Sequence, residues 1–307
     1  MTKTAFVFPG QGSQYVGMAR DFFENAAPAR EMIERADRIL GVRLSTICFE
    51  GPEDELRQTK NTQPAIFLHS TVAAQMIAAV KPDMVAGHSL GEYSALVTAG
   101  ALTFEDGLRL VRLRGELMQR AGEQQKGTMA AVVGLASETV EALCQEAAAS
   151  GVVQPANFNS PGQIVISGSV EGVRKAMELS RQKGAKMVKE LVVSGAFHSP
   201  LMESAREGLR EALDQTSIHD ARIPVYANVT AEPVTHSGKI RELLFLQLTS
   251  PVRWEQTVRS MVRDGATRFV EVGPGKVLQG LAKRTEAGVS TAGIDKLADI
   301  GLLGGIA

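Results

Sequence analysis

Met84-Val85-Ala86-Gly87-His88-Ser89-Leu90-Gly91-Glu92-Tyr93 decides the fold class of this 307-residue chain. An apolar run enters Gly-x-Ser-x-Gly, and a second apolar stretch leaves it, stopped by Gly100. Strand (83–87), sharp turn and helix (90–99) are the predicted elements. A residue at the apex of such a turn crowds the backbone on both sides. Glycines two positions before and after it remove the Cβ atoms that would clash. The turn lifts the Ser89 hydroxyl out of the sheet and sets it at a helix N-terminus, where N–H groups and the helix dipole favour a developing oxyanion. Ser89 therefore reads as a nucleophile. The plain alternative is a glycine-rich connection whose serine caps a helix.

Outward from the elbow, residues 4–8 form a short apolar strand closed by Pro9-Gly10-Gln11-Gly12-Ser13. A helical region follows at 16–40, interrupted near Pro28. Residues 63–80 and 104–120 are apolar at helical spacing. From Gly127 the rhythm changes to strand 128–135, helix 137–149, strands 152–157 and 163–167, helix 170–183 and strand 186–193. That βαββαβ order predicts a ferredoxin-like unit. Strand-like runs recur at 223–228 and 268–272, and the tail after Leu297 reads as loosely specified. The expected fold is α/β: a large α/β-hydrolase-like domain with a parallel sheet core, residues 1–126 and 196–307, with a small ferredoxin-like α+β domain, 127–195, inserted into it.

Composition excludes several classes. With 44% hydrophobic residues, 22% charged residues and a formal net charge of −1, nothing points to nucleic acid or an acidic membrane. Cys48 and Cys144 lie in no Cys-x-x-Cys or Cys/His cluster, so no disulfide framework, metal site or cofactor is expected. The absence of a signal-like N-terminus or a bilayer-length apolar run predicts a cytosolic protein.

A serine nucleophile needs a base, and the base needs an orienting partner. Of the five histidines, His69 sits in an apolar helix and reads as core. His219 and His236 lie in polar, turn-rich stretches. His88 adjoins the serine, and neighbouring side chains diverge. His198, in Gly195-Ala196-Phe197-His198-Ser199-Pro200, follows a strand and opens a helix, where α/β scaffolds present functional side chains. It is the candidate base.

On helix 104–120, Arg114 differs from Arg109, Arg112 and Arg120. Its neighbours three and four positions away are Leu110, Val111, Leu117 and Met118, all apolar, so it is centred on the buried stripe. A buried guanidinium is costly unless paired. Either an internal acid pairs with it, or its partner arrives with the substrate as a carboxylate, which guanidinium binds bidentately.

The motifs Phe8-Pro9-Gly10-Gln11-Gly12-Ser13-Gln14, Thr62-Gln63-Pro64-Ala65, Gly87-His88-Ser89-Leu90-Gly91-Glu92, Arg114-Gly115, Asn157-Phe158-Asn159-Ser160-Pro161-Gly162-Gln163, Gly195 to Pro200 and Val272-Gly273-Pro274-Gly275 occur in one order along nearly the whole chain. In them the chain resembles the malonyl-CoA:acyl carrier protein transacylases and the acyltransferase domains of polyketide synthases. The resemblance implies Ser89 as the acylated nucleophile and His198 as the base, in a cleft between two domains. It implies an oxyanion hole from the backbone N–H groups of Gln11 and Leu90, where losing one donor costs about 2.7–4 kcal/mol. It implies that an amide or a main-chain carbonyl, not a carboxylate, orients His198, and it places Gln247 there, with the side-chain carbonyl expected to accept from the imidazole. It assigns the acyl carboxylate to Arg114 and further substrate contacts to Gln63, Phe197, Met118 and Asn159. In the polyketide branch a Phe beside the histidine accompanies malonyl, and a serine there accompanies methylmalonyl.

The implied partners are malonyl-CoA and a holo acyl carrier protein, met by a monomer. Arg174, Lys175, Arg181, Lys183, Lys186 and Lys189 form one basic group, and Lys276, Lys283 and Arg284 another. Either can steer an acidic partner, or both are ordinary solvated faces. Two other functions share parts of the pattern. A serine esterase or thioesterase has the elbow, but places an acid between serine and histidine in chain order and has no use for Arg114. A non-catalytic carrier-protein-binding subunit has no need of Ser89 and His198.

Overall fold

The computed structural model describes residues 3–77 and 80–303. Residues 78 and 79 of the predicted 63–80 helix and the last four residues of the tail lie outside that set. Ten strands are described: β1 (Lys3–Phe8), β2 (Met84–Gly87), β3 (Gly127–Val133), β4 (Val153–Ser160), β5 (Gln163–Ser169), β6 (Met187–Glu190), β7 (Val225–Tyr226), β8 (Pro233–Val234), β9 (Ala266–Val272) and β10 (Ser290–Ile294).

Six of them form one sheet in the order β10-β9-β1-β2-β7-β8. All neighbours are parallel except β7 and β8. β1 is central, with Phe6 opposite Val85 of β2 on one side and Val270 of β9 on the other. Its residues alternate between two apolar layers. Phe6 and Phe8 pack with Phe67, Leu108 and Val111 from helices Thr59–Met76 and Phe104–Gln124. Ala5 and Val7 pack with Trp254, Val258 and Leu281 from helices Trp254–Arg263 and Val277–Thr285. A parallel strand covered on both faces must be apolar at every position, and Ala-Phe-Val-Phe meets that requirement.

The other four strands form a separate antiparallel sheet, ordered β4-β5-β3-β6. One face, with Val132, Ile164 and Ile166, is covered by Leu143 and Val173 from helices Ser137–Ala147 and Val170–Gln182. The opposite face turns Met129 and Val165 toward the core of the larger sheet. β4 is also tied to the chain beyond 250, because Phe158 N donates to Val252 O and Val252 N to Ala156 O.

Boundaries shift where local chemistry intervenes. The interruption expected near Pro28 falls at Ala26, and Pro28 occupies the first turn of helix Ala27–Leu40, where a missing N–H costs nothing. The helix expected from 63 begins at Thr59 and carries Pro64 inside it. Proline leaves the Lys60 carbonyl without its intrahelical donor, and Arg112 Nη1 supplies one at 3.1 Å. The strand expected at 223–228 is only Val225–Tyr226, because Asn228 is committed to the elbow. Among the described residues, no helix is long and apolar enough to cross a membrane.

Candidate active site

Ser89 sits at the turn between β2 and helix Gly91–Thr98, with φ of +53°. That left-handed conformation costs a non-glycine residue on the order of 1–3 kcal/mol, so the surroundings must impose it. They do. A Cβ on Gly87 would lie 1.9 Å from the Gly91 carbonyl carbon, and one on Gly91 would lie 2.2 Å from Phe8 O. Asn228 then clamps the turn: its Oδ1 accepts from Ser89 N at 2.7 Å, and its Nδ2 donates to Gly87 O at 2.6 Å.

His198 follows the antiparallel sheet and also has a left-handed backbone, φ +55°. Its Nε2 lies 2.8 Å from Ser89 Oγ. Its Nδ1 faces two main-chain carbonyls, Gln247 O at 2.9 Å and Ser250 O at 3.1 Å. Carbonyls only accept, so Nδ1 carries the proton and Nε2 is left bare toward the serine hydroxyl. Burial, reinforced by the charge of Arg114, drives the imidazole down from 6.5 to about 3. The ring is therefore neutral at physiological pH, with Nε2 unprotonated toward the serine. From β4, Gln154 Nε2 donates to His198 O at 2.9 Å and Thr249 O at 3.2 Å, holding both halves of this arrangement.

The expected mode of Gln247 is corrected here. Its main-chain carbonyl, not its side chain, orients the histidine. The reason is positional: Gln247 ends helix Ser237–Gln247, and the last carbonyls of a helix have no intrahelical donor. The side chain goes to Arg114 instead. Gln247 Oε1 accepts from Arg114 Nη2 at 2.9 Å, while Nε2 donates to Ser89 O at 3.0 Å and Glu92 Oε2 at 2.9 Å.

Arg114 is 0% exposed. Its Nη1 donates to Gln63 Oε1 at 2.7 Å, and its Nη2 reaches Ser89 Oγ at 3.0 Å. Among the described residues its Nε has no acceptor. Among the described residues no carboxylate lies within ion-pair distance of it. The internal acid left open by the sequence is thus not a direct partner. Among the described residues the hydrogen-bond partners of this desolvated cation are neutral amide and hydroxyl oxygens, while the Tyr93 ring, its centroid 5.8 Å from the guanidinium carbon, and the Glu92 carboxylate, beyond ion-pair distance, add electrostatic support.

The cleft between the two sheets encloses about 290 Å³. Ser89, His198, Arg114, Gln63, Gln11 and Leu90 line it, as do Phe197, Met118 and Asn159. Gln247 lies beneath it, fully buried. Gln63 Nε2 contacts Met118 Sδ at 3.2 Å. The Gln11 and Leu90 amides take no backbone acceptor among the described residues, and the glycine loop fits against the elbow so closely that a Cβ on Gly10 would be 2.5 Å from His88 O. Asn159 Oδ1 bonds His88 Nε2 at 2.9 Å, so His88 is engaged across the cleft rather than with the serine. His69 is a buried core residue on Asp295 O at 2.9 Å. His219 and His236 are exposed.

Asn228, Glu92 and Gln154 were not singled out in the sequence. Asn228 follows the carboxyl end of a parallel strand, which is a usable signal. Glu92, three residues past the nucleophile, is 3% exposed and accepts from Asn228 N at 3.0 Å. Burial pushes its carboxyl up to about 7, although these hydrogen bonds and Arg114 pull the other way.

The family model described as an acyl transferase domain matches residues 5–303. The chain belongs to the acyl transferase domain family. It is 45% identical over 297 residues to the malonyl CoA-acyl carrier protein transacylase of Bacillus subtilis, covering 96% of this chain and 94% of that one. Two solved members of the family superpose closely. The acyl-carrier-protein S-malonyltransferase of Burkholderia pseudomallei has a TM-score of 0.94 at 42% identity, covering 98% of this chain and 99% of the other. A malonyl-transacylase in complex with its type II PKS acyl-carrier protein has a TM-score of 0.94 at 39% identity, covering 97% and 98%.

Proposed function

We propose that the chain transfers malonyl from malonyl-CoA to the phosphopantetheine thiol of an acyl carrier protein through a malonyl-Ser89 intermediate. The observation that carries this reading is Arg114: a fully buried guanidinium with no carboxylate in ion-pair distance among the described residues, 3.0 Å from the nucleophile. An acyl group bearing a carboxylate completes it. An acetyl or long acyl chain leaves the charge unpaired. The names of the relatives point to the same substrates.

The chemistry follows from the contacts. His198 Nε2 takes the Ser89 proton as Oγ attacks the thioester carbonyl, and the Gln11 and Leu90 N–H groups receive the oxyanion. Collapse expels the coenzyme A thiolate, which takes the proton from His198. The pantetheine thiol then enters, gives its proton to Nε2 and attacks the acyl-serine. The released serine alkoxide recovers that proton. Arg114 acts on the base as well as on the substrate. Its charge helps hold His198 down, so an arriving carboxylate, by neutralising it, raises the basicity of the imidazole when the thioester is in place.

The reading extends to the architecture. The parallel sheet with its elbow is an α/β-hydrolase-like domain, residues 1–126 and 196–307, and the β4-β5-β3-β6 sheet is an inserted ferredoxin-like domain, 127–195. The order β4-β5-β3-β6 is that of a split βαβ pair. The protein works as a cytoplasmic monomer. Its carrier protein docks at the rim formed by Lys276, Lys283 and Arg284. Helix Val277–Thr285 lines the cleft through Val277, Leu278 and Leu281, whereas Arg174 and Lys175 on the small sheet's helix already face Glu190 and Glu178.

Mass spectrometry after mixing with malonyl-, methylmalonyl- and acetyl-CoA in competition tests the function. A malonyl adduct, absent in Ser89→Ala, is expected. No adduct, or one that survives that substitution, removes the proposal. An adduct that water discharges as fast as a carrier-protein thiol would make the protein a thioesterase.

A further inference from the structure

Among the described residues Arg114 has three polar acceptors, and two of them, on Gln63 and Gln247, are amides with two possible orientations. An amide can present either its oxygen or its NH₂ to a neighbour. Gln247 presents Oε1 to Arg114 because its Nε2 is taken by acceptors only: Ser89 O, Glu92 Oε2 and, more distantly at 3.4 Å, Asn228 Oδ1. Flipped, the Gln247 oxygen would face three other oxygens, and its NH₂ would face the guanidinium. Glu92 Oε2, at 2.9 Å, is the nearest of the three acceptors, and it also receives Asn228 N at 3.0 Å. Among the described residues the hydrogen bonds of the Glu92 carboxylate fall on Oε2. It touches neither the cleft nor Ser89 Oγ, and it is absent from the cavity lining.

We propose that Glu92 is a positioning residue for acyl-group selectivity: through Gln247 it holds the Arg114 guanidinium in the orientation that receives the substrate carboxylate. The inference rests on the malonyl reading above. The hydrogen bond, rather than the charge, does the holding. Gln247 Nε2 and Asn228 N both meet a single carboxylate oxygen, Oε2. A glutamine at 92 can place its carbonyl oxygen there and keep both bonds. An aspartate keeps the charge but falls short by a methylene. The burial that raises the carboxyl is consistent with this, because at neutral pH the site accommodates Glu92 in both protonation states.

The test measures kcat and KM for malonyl-CoA and acetyl-CoA with a fixed carrier protein, in Glu92→Ala, Glu92→Asp and Glu92→Gln. Glu92→Ala is expected to raise the malonyl KM and to lower the malonyl-to-acetyl ratio of kcat/KM at least tenfold, with acetyl transfer losing less because only malonyl carries the carboxylate that Arg114 receives. Glu92→Asp should do the same to a smaller degree, and Glu92→Gln should keep the ratio within about threefold of the parent, since both hydrogen bonds are retained. If Glu92→Ala fails to fold, Glu92→Asp and Glu92→Gln carry the comparison. Equal losses with both substrates would make Glu92 merely structural and overturn the proposal. So would a parental ratio in Glu92→Asp, or a lost ratio in Glu92→Gln. Failure of the parent protein to form malonyl-Ser89 would overturn the functional reading itself, which is a distinct result from any of these.

Discussion

The two walls flanking Ser89 both hide a basic side chain from water, and they solve the problem in opposite ways. On one side His198 meets main-chain carbonyls, from Gln247 and Ser250, and surrenders its charge. On the other Arg114 meets side-chain oxygens, from Gln63 and Gln247, and cannot surrender its charge. A proton shuttle needs a group that can be neutral, and carbonyls hold its tautomer without making it more acidic or basic through a net charge. A carboxylate receptor needs a group that stays cationic, supported by neutral oxygens that leave the charge uncancelled. Gln247 serves both walls with different atoms, and this division gives the comparison its breaking points.

The largest expected effect is on the histidine wall. His198→Ala should lower acyl transfer at least about 10²–10⁴-fold, the usual contribution of a positioned base, equally for malonyl and acetyl in steady-state assays. Arg114→Ala should cost malonyl kcat/KM about 2–5 kcal/mol, the range for truncating one partner of a buried charge pair, while sparing or raising acetyl transfer. Unchanged malonyl selectivity would remove Arg114 from the substrate site. Gln247→Ala separates the walls. Its backbone carbonyl still orients His198, so acetyl transfer should persist, while malonyl kcat/KM falls about one to two orders of magnitude from the loss of a buried acceptor. Equal loss of both activities would mean that the side chain also supports the histidine.

Acid sensitivity sharpens the same contrast. His198 has a folded value near 3, below its ordinary 6.5. The unfolded chain takes up that proton first, so this contribution to stability is lost as pH falls from 6.5 toward 3. Glu92 is raised from 4.5 to about 7. Its contribution is fully present below 4.5 and is lost as pH rises through 7. Between 4.5 and 6.5 the two oppose one another. Glu92→Gln removes one of them, so its Tm should drop more than the parent's on going from pH 7 to pH 5. The smallest effect is at the rim. Reversing the charges of Lys276 and Lys283 should raise the carrier-protein KM several-fold without altering that for malonyl-CoA, since exposed pairs are worth only about 0–1 kcal/mol each. Reversing Arg174 and Lys175 should do less.

Much of this was readable from local pattern. The elbow glycines, the apolar run of β1, the βαββαβ order and the apolar neighbours of Arg114 are all written in residues a few positions apart. What escaped was contact between residues far apart in sequence. Asn228 reaches the elbow across 139 positions and Gln247 reaches Ser89 O across 158. No spacing rule connects them, and a polar residue at a helix or strand end has many ordinary reasons to be there. Gln247 was located, but its atom was misread: residue type suggests a side-chain contact, whereas the helix terminus offers a carbonyl.

The sequence by itself determined Ser89 as the apex of a strained turn, because steric clashes at Gly87 and Gly91 are local. It also determined that Arg114 would be buried, because helical periodicity is local too. Only the tertiary structure decided which atom of Gln247 orients His198, that no carboxylate lies within ion-pair distance of Arg114 among the described residues, and that Glu92 stands behind the amide between them. Those outcomes depend on how helix Ser237–Gln247 ends against the elbow, and such packing is set by the whole fold rather than by any segment of it.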